Sequence, residues 1–274
     1  MVATPIGHLG DISLRALQVL AGVDAVACED TRVTGKLLAA HGIRAPLVSY
    51  HEHNAERRRP ELVARLRDGA AIALVADAGT PLVSDPGYKL VRAVLDEGLP
   101  VTAVPGPSAA LAALVVSGLP SDRFFFQGFL PAKPGARRTV LGELADLRAS
   151  LVIYESPRRL AASLADMAAV LGPREAAVTR ELTKRFEEVR RGTLAGLAEH
   201  YREAGPPKGE VVVVVGPPQA REAASTTNEM DARLEEALGR ASLRDAVAEV
   251  ATATGLPRKQ VYDRALALKR RGRR

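Results

Sequence analysis

The sequence predicts an α/β protein: a parallel sheet in the first half, a second α/β domain, and a small helical appendage at the C-terminal end. Three observations carry this reading. Short β-rich runs alternate with helix-like runs through the first half, and repeated βα units of this kind build parallel sheets. The strand-like runs are continuously apolar, as expected when helices cover both faces of a sheet. After Gly118 the texture changes to an aromatic cluster, Phe124-Phe125-Phe126-Gln127-Gly128-Phe129, in a chain with only 4% aromatic residues.

The elements follow in order. Val2-Ala3 ends a first strand, with a helix over Ser13 to Leu20. Val23 to Cys28 reads as a strand, then Thr31 to Ala40 as a helix stopped by His41-Gly42. Pro46 to Tyr50 is strand-like, and Glu56 to Arg67 is helical up to Asp68-Gly69. Ala71 to Ala76 is strand-like, Tyr88 to Glu97 helical. Val101 to Val104 is strand-like, Ser108 to Val116 helical and ended by Gly118.

Beyond the aromatic cluster, Arg137 to Leu147 reads as a helix, Leu151 to Tyr154 as a strand, Arg158 to Val170 as a helix and Ala176 to Thr179 as a strand. Leu194 to Arg202 is helical and Val211 to Val215 is a buried strand. Gln219 to Asn228, polar and rich in Ala, Ser and Thr, reads as a linker. Met230 to Arg240, Leu243 to Thr254 and Arg258 to Arg270 are amphipathic helices. The Gly-Leu-Pro turn between the last two resembles a small helix-turn-helix, although a packed appendage has the same pattern. These transitions place domains at 1–118 and 119–218 and a helical tail at 229–274.

Composition excludes several classes. Of 274 residues, 47% are hydrophobic and 26% charged, an ordinary globular mixture. The one cysteine, Cys28, can neither close an internal disulfide nor alone hold a structural zinc. No basic segment followed by an apolar core opens the chain, and no apolar run is long enough to span a bilayer. A soluble, cytoplasmic protein with no membrane partner is expected. The net charge of +6 comes from 31 Arg and 7 Lys against 32 acidic residues. A basic balance favours polyanionic partners, although Arg-rich codon usage produces the same excess and part of it sits in the terminal Lys-Arg-Arg-Gly-Arg-Arg.

The most informative segment is Leu74-Val75-Ala76-Asp77-Ala78-Gly79-Thr80-Pro81-Leu82-Val83-Ser84-Asp85-Pro86-Gly87. It follows a strand, so it lies at the carboxyl edge of the sheet, where ligands bind in open α/β folds. At fourteen residues it is long for a connection that normally takes about 2–6. Gly79 and Gly87 permit close backbone approach, Pro81 and Pro86 stiffen the loop, and Thr80 and Ser84 add hydroxyls. Ser84 or Asp85 also suits a helix cap. Two further corners, Ala3-Thr4-Pro5-Ile6-Gly7-His8 and Val104-Pro105-Gly106-Pro107-Ser108-Ala109, share its style. Three such corners on one edge would build a pocket walled by backbone. No glycine-rich dinucleotide or P-loop signature occurs, and His51 and His53 lack a third clustered ligand, so no metal site is expected. Glu29 and Asp30 end a strand, and Asp30-Thr31-Arg32 equally suits a helix cap with an ion pair. Lys184, Arg185, Arg190 and Arg191 suit phosphates, whereas Glu181, Glu187 and Glu188 would neutralise them.

Taken together, ATPIGHLGDISLRAL, CEDTR, DAGTPLVSDPG, VPGPSA, GFLP, YESPRR, RELTKRFEE and GEVVVVV resemble the tetrapyrrole methylase superfamily in order and spacing, from Val2 to about Gly216. More closely they resemble its ribosomal RNA branch, the 16S rRNA cytidine 2′-O-methyltransferases. The resemblance implies a two-domain tetrapyrrole methylase-like fold, with a mainly parallel N-terminal sheet and a mixed second domain. It also implies S-adenosylmethionine (SAM) in the cleft between the domains, 16S rRNA of the small ribosomal subunit as substrate, and a homodimer. Carried onto this chain, Pro5 falls in the first cofactor loop. Ala78, Gly79, Thr80 and Val83 fall on the loop for the methionine moiety, Ser108 and Ala109 on another contact pair, and Tyr154, Glu155 and Leu182 on the second domain's wall. Ala-Gly-Thr-Pro stands where tetrapyrrole branches have Gly-Gly-Asp-Pro, which argues against a porphyrin substrate. His8 replaces a common asparagine, and few apolar residues precede Val2-Ala3, so a truncated first strand or a misassigned start is expected.

Methyl transfer to a ribose oxygen requires alignment of three atoms and a group that takes the hydroxyl proton. Asp30, Glu29, Glu155 and Glu181 lie at strand ends. The catalytic candidates are Asp30, Arg32 to orient it or hold a phosphate, Glu181, and Lys184 as a second phosphate contact. A tetrapyrrole C-methyltransferase and a non-enzymatic RNA-binding protein are the alternatives.

Overall fold

The computed structural model describes residues 1–84, 87–218 and 223–271, with side chains except at 223–229 and 269–271. Asp85 and Pro86 of the central loop, 219–222 of the expected linker and the terminal 272–274 lie outside the described residues. The chain divides into two units, Met1–Pro218 and Gln219–Arg274.

In the first unit, a 3-10 turn at Leu9–Asp11 precedes α1 (Leu14–Gly22), whose N-cap Ser13 accepts the Ala16 N–H at 3.1 Å. Three βα repeats follow: β1 (Ala25–Cys28) and α2 (Thr31–Ala40), β2 (Leu47–Ser49) and α3 (Ala55–Arg67), β3 (Ile72–Leu74) and α4 (Tyr88–Asp96). The strands pair in parallel in the order β2-β1-β3. Alternate residues serve opposite faces. Val26, Cys28, Ala73 and Val75 pack with Ala16, Leu20, Leu37 and Leu38. Ala27 and Leu74 pack with Leu62, Val63, Leu90 and Val94. Helices on both faces favour apolar side chains, which is why β1 and β3 read as unbroken apolar runs, while the edge strand β2 ends in Ser49.

The first residues extend this sheet. The Val2 N–H donates to Leu74 O at 3.0 Å and Ala3 N–H to Val104 O at 3.2 Å. The expected strand at Val101 to Val104 is reduced to one parallel bridge, Val2 to Val104. Pro100 and Pro105 bracket it, and prolines have no N–H to continue a ladder.

The rest of the unit contains α5 (Ala109–Ser117), β4 (Phe124–Phe129), α6 (Pro134–Glu143), β5 (Ser150–Glu155), α7 (Leu160–Leu171), β6 (Glu175–Arg180), β7 (Glu188–Thr193), α8 (Leu194–Ala204) and β8 (Val211–Val215). The sheet order is β4-β5-β8-β6-β7, with β4 parallel to β5 and the other pairs antiparallel. β8 is central. Its Val212 and Val214 meet Ala110, Ala113 and Leu114 of α5. Val211, Val213 and Val215 meet Leu141, Leu160, Leu164, Leu194 and Leu197 on the other side. Both faces are therefore dry, and each buried valine contributes roughly 1.5–3 kcal/mol of gross transfer free energy. Because α5 follows the first sheet in sequence but covers the second, it joins the two sheets into one unit.

Two elements depart from the pattern read in sequence. α6 starts at Pro134, a residue pre-set for the first helical turn, and stops four residues before Leu147. β7, Glu-Val-Arg-Arg-Gly-Thr, has no apolar period because it is a half-exposed edge strand that pairs only with β6.

The second unit is a three-helix cluster of α9 (Ala223–Arg240), α10 (Leu243–Thr254) and α11 (Arg258–Arg271). α9 begins inside the stretch read as linker, where the alanines favour a helix but Ser and Thr oppose it, so composition alone does not mark its start. Met230, Leu234 and Ala237 pack with Ala246, Val247, Val250, Val261 and Ala265. Arg264 donates two hydrogen bonds to Asp231, at 2.7 and 2.5 Å, tying α11 to α9. Among the described residues no helix is long and apolar enough to cross a membrane.

Candidate functional site

The three corners singled out in sequence meet. Thr4 and Gly79 exchange backbone hydrogen bonds at 2.9 and 3.1 Å. The buried Thr4 hydroxyl also donates to Ala76 O at 3.1 Å. Thr80 Oγ1 donates to Pro107 O at 3.0 Å. Gly79 has φ +79°, and a Cβ there would sit 3.4 Å from Ile6 and 3.8 Å from Pro107 O. A left-handed conformation with little free space suits glycine.

These corners close one side of a cavity of about 420 Å³, within the roughly 300–1,000 Å³ of small-ligand sites. Ile6, Asp77, Ala78, Gly79, Thr80, Val83, Ser84, Ser108 and Ala109 line that side. The second sheet supplies the other through Phe129, Tyr154, Glu155, Thr179, Leu182, Glu210 and Val212. Tyr154 makes edge-on contacts with Phe126 and Phe129, at centroid distances of 5.0 and 5.6 Å. At the junction, α5 begins at Ala109 and the Ser108 side chain does not cap it. Its first N–H groups and helix dipole favour an anionic group there.

Nine of the ten residues read as cofactor contacts line this cavity: Ala78, Gly79, Thr80, Val83, Ser108, Ala109, Tyr154, Glu155 and Leu182. Pro5 does not; its neighbour Ile6 does. The four catalytic candidates lie one step back. Asp30 caps α2 and its carboxylate accepts from the Arg32 N–H at 2.8 Å and the guanidinium at 2.6 Å. The hydrogen bonds from Arg32 hold its pKa down, from 3.8 to about 2. The peptide N–H of Asp30 donates to Asp77 Oδ1 at 3.0 Å, so the strand end reaches the cavity through Asp77. Glu181 Oε1 accepts from Lys184 Nζ at 2.9 Å and from the Glu210 N–H at 3.0 Å, while Lys184 also donates to Glu210 Oε2 at 2.6 Å. The hydrogen bond from Lys184 holds the Glu181 pKa down. Burial opposes the Lys184 charge, but hydrogen bonds to Glu181 and Glu210 outweigh it and raise the pKa.

Glu155 lines the cavity but its carboxylate is committed. It accepts from the Ser156 N–H at 2.6 Å, the Ser163 hydroxyl at 2.5 Å and the Arg159 guanidinium at 2.6 Å. Among the acidic groups of the wall, Asp77 and Glu210 are the two that motif reading did not assign a role. Asp77 stood at the head of the long loop and Glu210 just before the valine run, so position was the available signal. Of the other arginines in the charged segment, Arg185 lies over the Phe186 ring, 5.6 Å from its centroid, and the two on β7 have partners. Arg190 pairs with Glu188 at 3.0 Å, and Arg191 donates to Ser117 O at 2.9 Å and to Val116 O, closing the end of α5.

Backbone strain gathers at the same place. Leu82, Ser84, Glu181 and Thr183 have φ of 74°, 64°, 50° and 63°. Left-handed non-glycine residues cost about 1–2 kcal/mol each and cluster where a fixed loop shape is needed. The two strained loops are linked through the first corner. The His8 N–H donates to Thr183 Oγ1 at 3.1 Å, and a Cβ on Gly7 would collide with Lys184 and Thr183 at 2.6 and 2.7 Å.

Fold and site therefore define a class: an α/β protein with a backbone-walled small-ligand cleft between a parallel and a mixed sheet. Residues 1–198 match the model of the Tetrapyrrole (Corrin/Porphyrin) Methylases, and the chain belongs to that family. Residues 224–269 match the RsmI C-terminal HTH domain. A Mesorhizobium japonicum protein named ribosomal RNA small subunit methyltransferase I is 53% identical, covering 98% of this chain and 91% of that relative. A protein of the same name from Erythrobacter litoralis is 55% identical, covering 98% and 94%. A crystal structure of uroporphyrin-III-C-methyltransferase from Thermus thermophilus aligns with a TM-score of 0.55 at 25% identity, over 78% of this chain and 92% of that one. A crystal structure of the Thermus thermophilus enzyme complexed with S-adenyl homocysteine has a TM-score of 0.53 at 20% identity, over 78% and 95%.

Proposed function

We propose that this protein is a SAM-dependent methyltransferase of small-subunit ribosomal RNA, acting on the ribose 2′-hydroxyl of a cytidine in 16S rRNA. The observation that carries the reading is the convergence of the Thr4–Ile6, Asp77–Val83 and Pro107–Ala109 corners on one cavity, in a chain that belongs to the methylase family. Relatives that match nearly the whole chain at about half identity bear the ribosomal RNA name, which favours it over a tetrapyrrole substrate. A concave small-ligand cavity of about 420 Å³ walled by three converging backbone corners favours an enzyme over a protein that only binds RNA.

The cavity's donors fit SAM. The start of α5 suits a carboxylate, the carbonyl edges of the central loop suit an ammonium group, and Ile6, Val83, Leu182 and Val212 suit an adenosyl group. Pro5, Ala78, Gly79, Thr80, Val83, Ser108, Ala109, Tyr154, Glu155 and Leu182 form the proposed cofactor site. SAM, when bound, supplies an electrophilic methyl group. The protein's own work is alignment and exclusion of water, which supply much of the acceleration of a transfer between two held reactants. The linked corners give the required rigidity.

An acid as strong as Asp30 takes a proton poorly. Its proposed part is to fix Asp77, with Arg32, whose side chain is 86% exposed, held for an RNA phosphate. Asp77 is the wall carboxylate placed to take the hydroxyl proton, since Glu155 is committed and Glu210 is paired with Lys184. Glu181 and Lys184 shape the opposite rim, with Lys184 as a second phosphate contact. We further propose a homodimer working in the cytoplasm, with 1–118 and 119–218 as the two lobes of the cleft and 229–274 as a separate tail.

The test is ribose-methyl mapping of 16S rRNA by mass spectrometry in a strain lacking the gene, with calorimetry of the purified protein and SAM. Loss of one cytidine 2′-O-methyl group, restored by the gene, is expected. An unchanged methylation map, or no heat with saturating SAM, would overturn the reading.

A further inference from the structure

The charge of this chain is concentrated at one end. Residues 258–274 carry eight Lys and Arg against a single acid, Asp263, a net +7, whereas residues 1–257 sum to −1. The whole basic balance of the protein therefore belongs to α11 and the residues after it.

The packing of α11 separates its residues by role. Val261 and Ala265 are fully buried against α9 and α10. Arg264 is occupied by Asp231. Arg258, Lys259, Gln260 and Tyr262 are exposed, Tyr262 at 44%. Among the described residues no ion pair engages Arg258 or Lys259, in contrast to Arg240, which pairs with Glu249 at 2.7 Å. Local stability does not account for two cations in the first turn, because they run against the helix dipole. Two cations and an aromatic ring within an arc of about 100° on one helix face are the groups that hold phosphates and stack on unpaired bases.

We propose that the exposed face of α11, through Arg258, Lys259 and Tyr262, is an RNA-docking surface that captures the substrate by its backbone, apart from the methyl-transfer cavity. The inference rests on the ribosomal RNA reading above. The cations supply sequence-independent attraction with a steep salt dependence. Tyr262 adds stacking on a single-stranded base. Anchoring by Arg264 and Asp231 keeps that face turned outward from the helix cluster.

The experiment uses the full chain and 16S rRNA, with Arg258→Ala/Lys259→Ala, the charge-keeping Arg258→Lys and Tyr262→Ala. Affinity is followed by fluorescence anisotropy from 50 to 300 mM salt, and methylation by methyl incorporation. The double variant is expected to bind RNA about tenfold more weakly and to lose about two from the salt-dependence slope, about one per phosphate contact. KM for RNA rises with kcat and SAM affinity unchanged. Arg258→Lys keeps the wild-type slope, and Tyr262→Ala weakens binding without altering it. Circular dichroism checks that the helices persist. Equal affinity and slope in the double variant and wild type would overturn the proposal while leaving the reaction standing. Absence of rRNA methylation by the wild type would instead sink the underlying reading. Weakened binding to vesicles of anionic lipid, with RNA binding intact, would assign the face to a membrane and also overturn it.

Discussion

The Thr80 hydroxyl donates to the carbonyl of Pro107 at 3.0 Å. This bond ties the loop after β3 to the loop before α5, two segments that share one wall of the cavity. Thr80→Val keeps the shape and removes the donor. Loss of one such bond costs about 1 kcal/mol, so SAM affinity in calorimetry falls about fivefold, with a melting temperature about 2–4 °C lower. Unchanged affinity would show that the loops hold each other without it.

Gly79→Ala asks more of the same loop. The position has φ +79° and Ile6 lies 3.4 Å from the added methyl. Left-handed alanine costs about 1–2 kcal/mol, and the Thr4–Gly79 bond pair must shift to relieve it. SAM affinity is expected to fall at least tenfold in a chain that still folds cooperatively in urea. Wild-type affinity would mean that the backbone pairing does not shape the pocket.

Much of this arrangement was legible in the residues. β8 and the helices from Thr31 and Leu243 stand where their apolar patterns and caps put them, because burial on two faces or one stripe leaves a clear period. The corners at Thr4, Gly79 and Ser108 were legible as turns, and their position after strands put them on one edge. β7 was not legible, since an edge strand half in solvent keeps arginines. The pairing of Asp30 with Asp77 and of Glu181 with Glu210 was not legible either. Contacts between residues 47 or 29 apart depend on how loops pack, and local pattern says nothing about that.

Asp77 and Asp30 should separate kinetically. Asp77→Asn removes the proposed proton acceptor, and such groups contribute about 10²–10⁴-fold. kcat is expected to drop by at least about a hundredfold with SAM affinity within about twofold. Asp30→Ala lowers kcat less, because the Asp30 peptide N–H that holds Asp77 remains. It also leaves SAM affinity nearly intact. Stopped-flow or quench measurement of single turnovers reads both. Normal turnover in Asp77→Asn would remove this residue from the chemistry.

The Asp30–Arg32 pair carries a signature in pH. The folded pKa of Asp30, about 2, lies below its ordinary 3.8. Its contribution to stability is present above the ordinary value and is lost as pH falls through the folded one. Asp30→Asn should therefore melt below the wild type at neutral pH, and the two curves should converge between about pH 4 and 2. A gap that stays constant across that range would show that it does not arise from the ionisation of Asp30, and no gap at neutral pH would show that the cap, which asparagine also provides, accounts for the whole effect.

Glu155 is the severest test of how much of the cleft wall is structural. Its carboxylate is fully buried and meets Ser156, Ser163 and Arg159. Glu155→Gln keeps the volume but leaves the Arg159 guanidinium, 28% exposed, without its anion. Removing one partner of a buried pair costs about 3–5 kcal/mol. Part of the Arg159 charge still reaches water, so the lower end of that range applies. Ser163→Ala removes one of the three donors to that carboxylate and should cost about 1.5–3 kcal/mol. Urea titrations of both variants measure the difference, and SAM calorimetry at denaturant concentrations below the unfolding transition separates lost fold from lost contact. If Glu155→Gln remained as stable as wild type but no longer bound SAM, the residue would be a direct cofactor ligand rather than a support of the wall. If it lost stability and kept its SAM affinity once folded, the three donors would account for its burial.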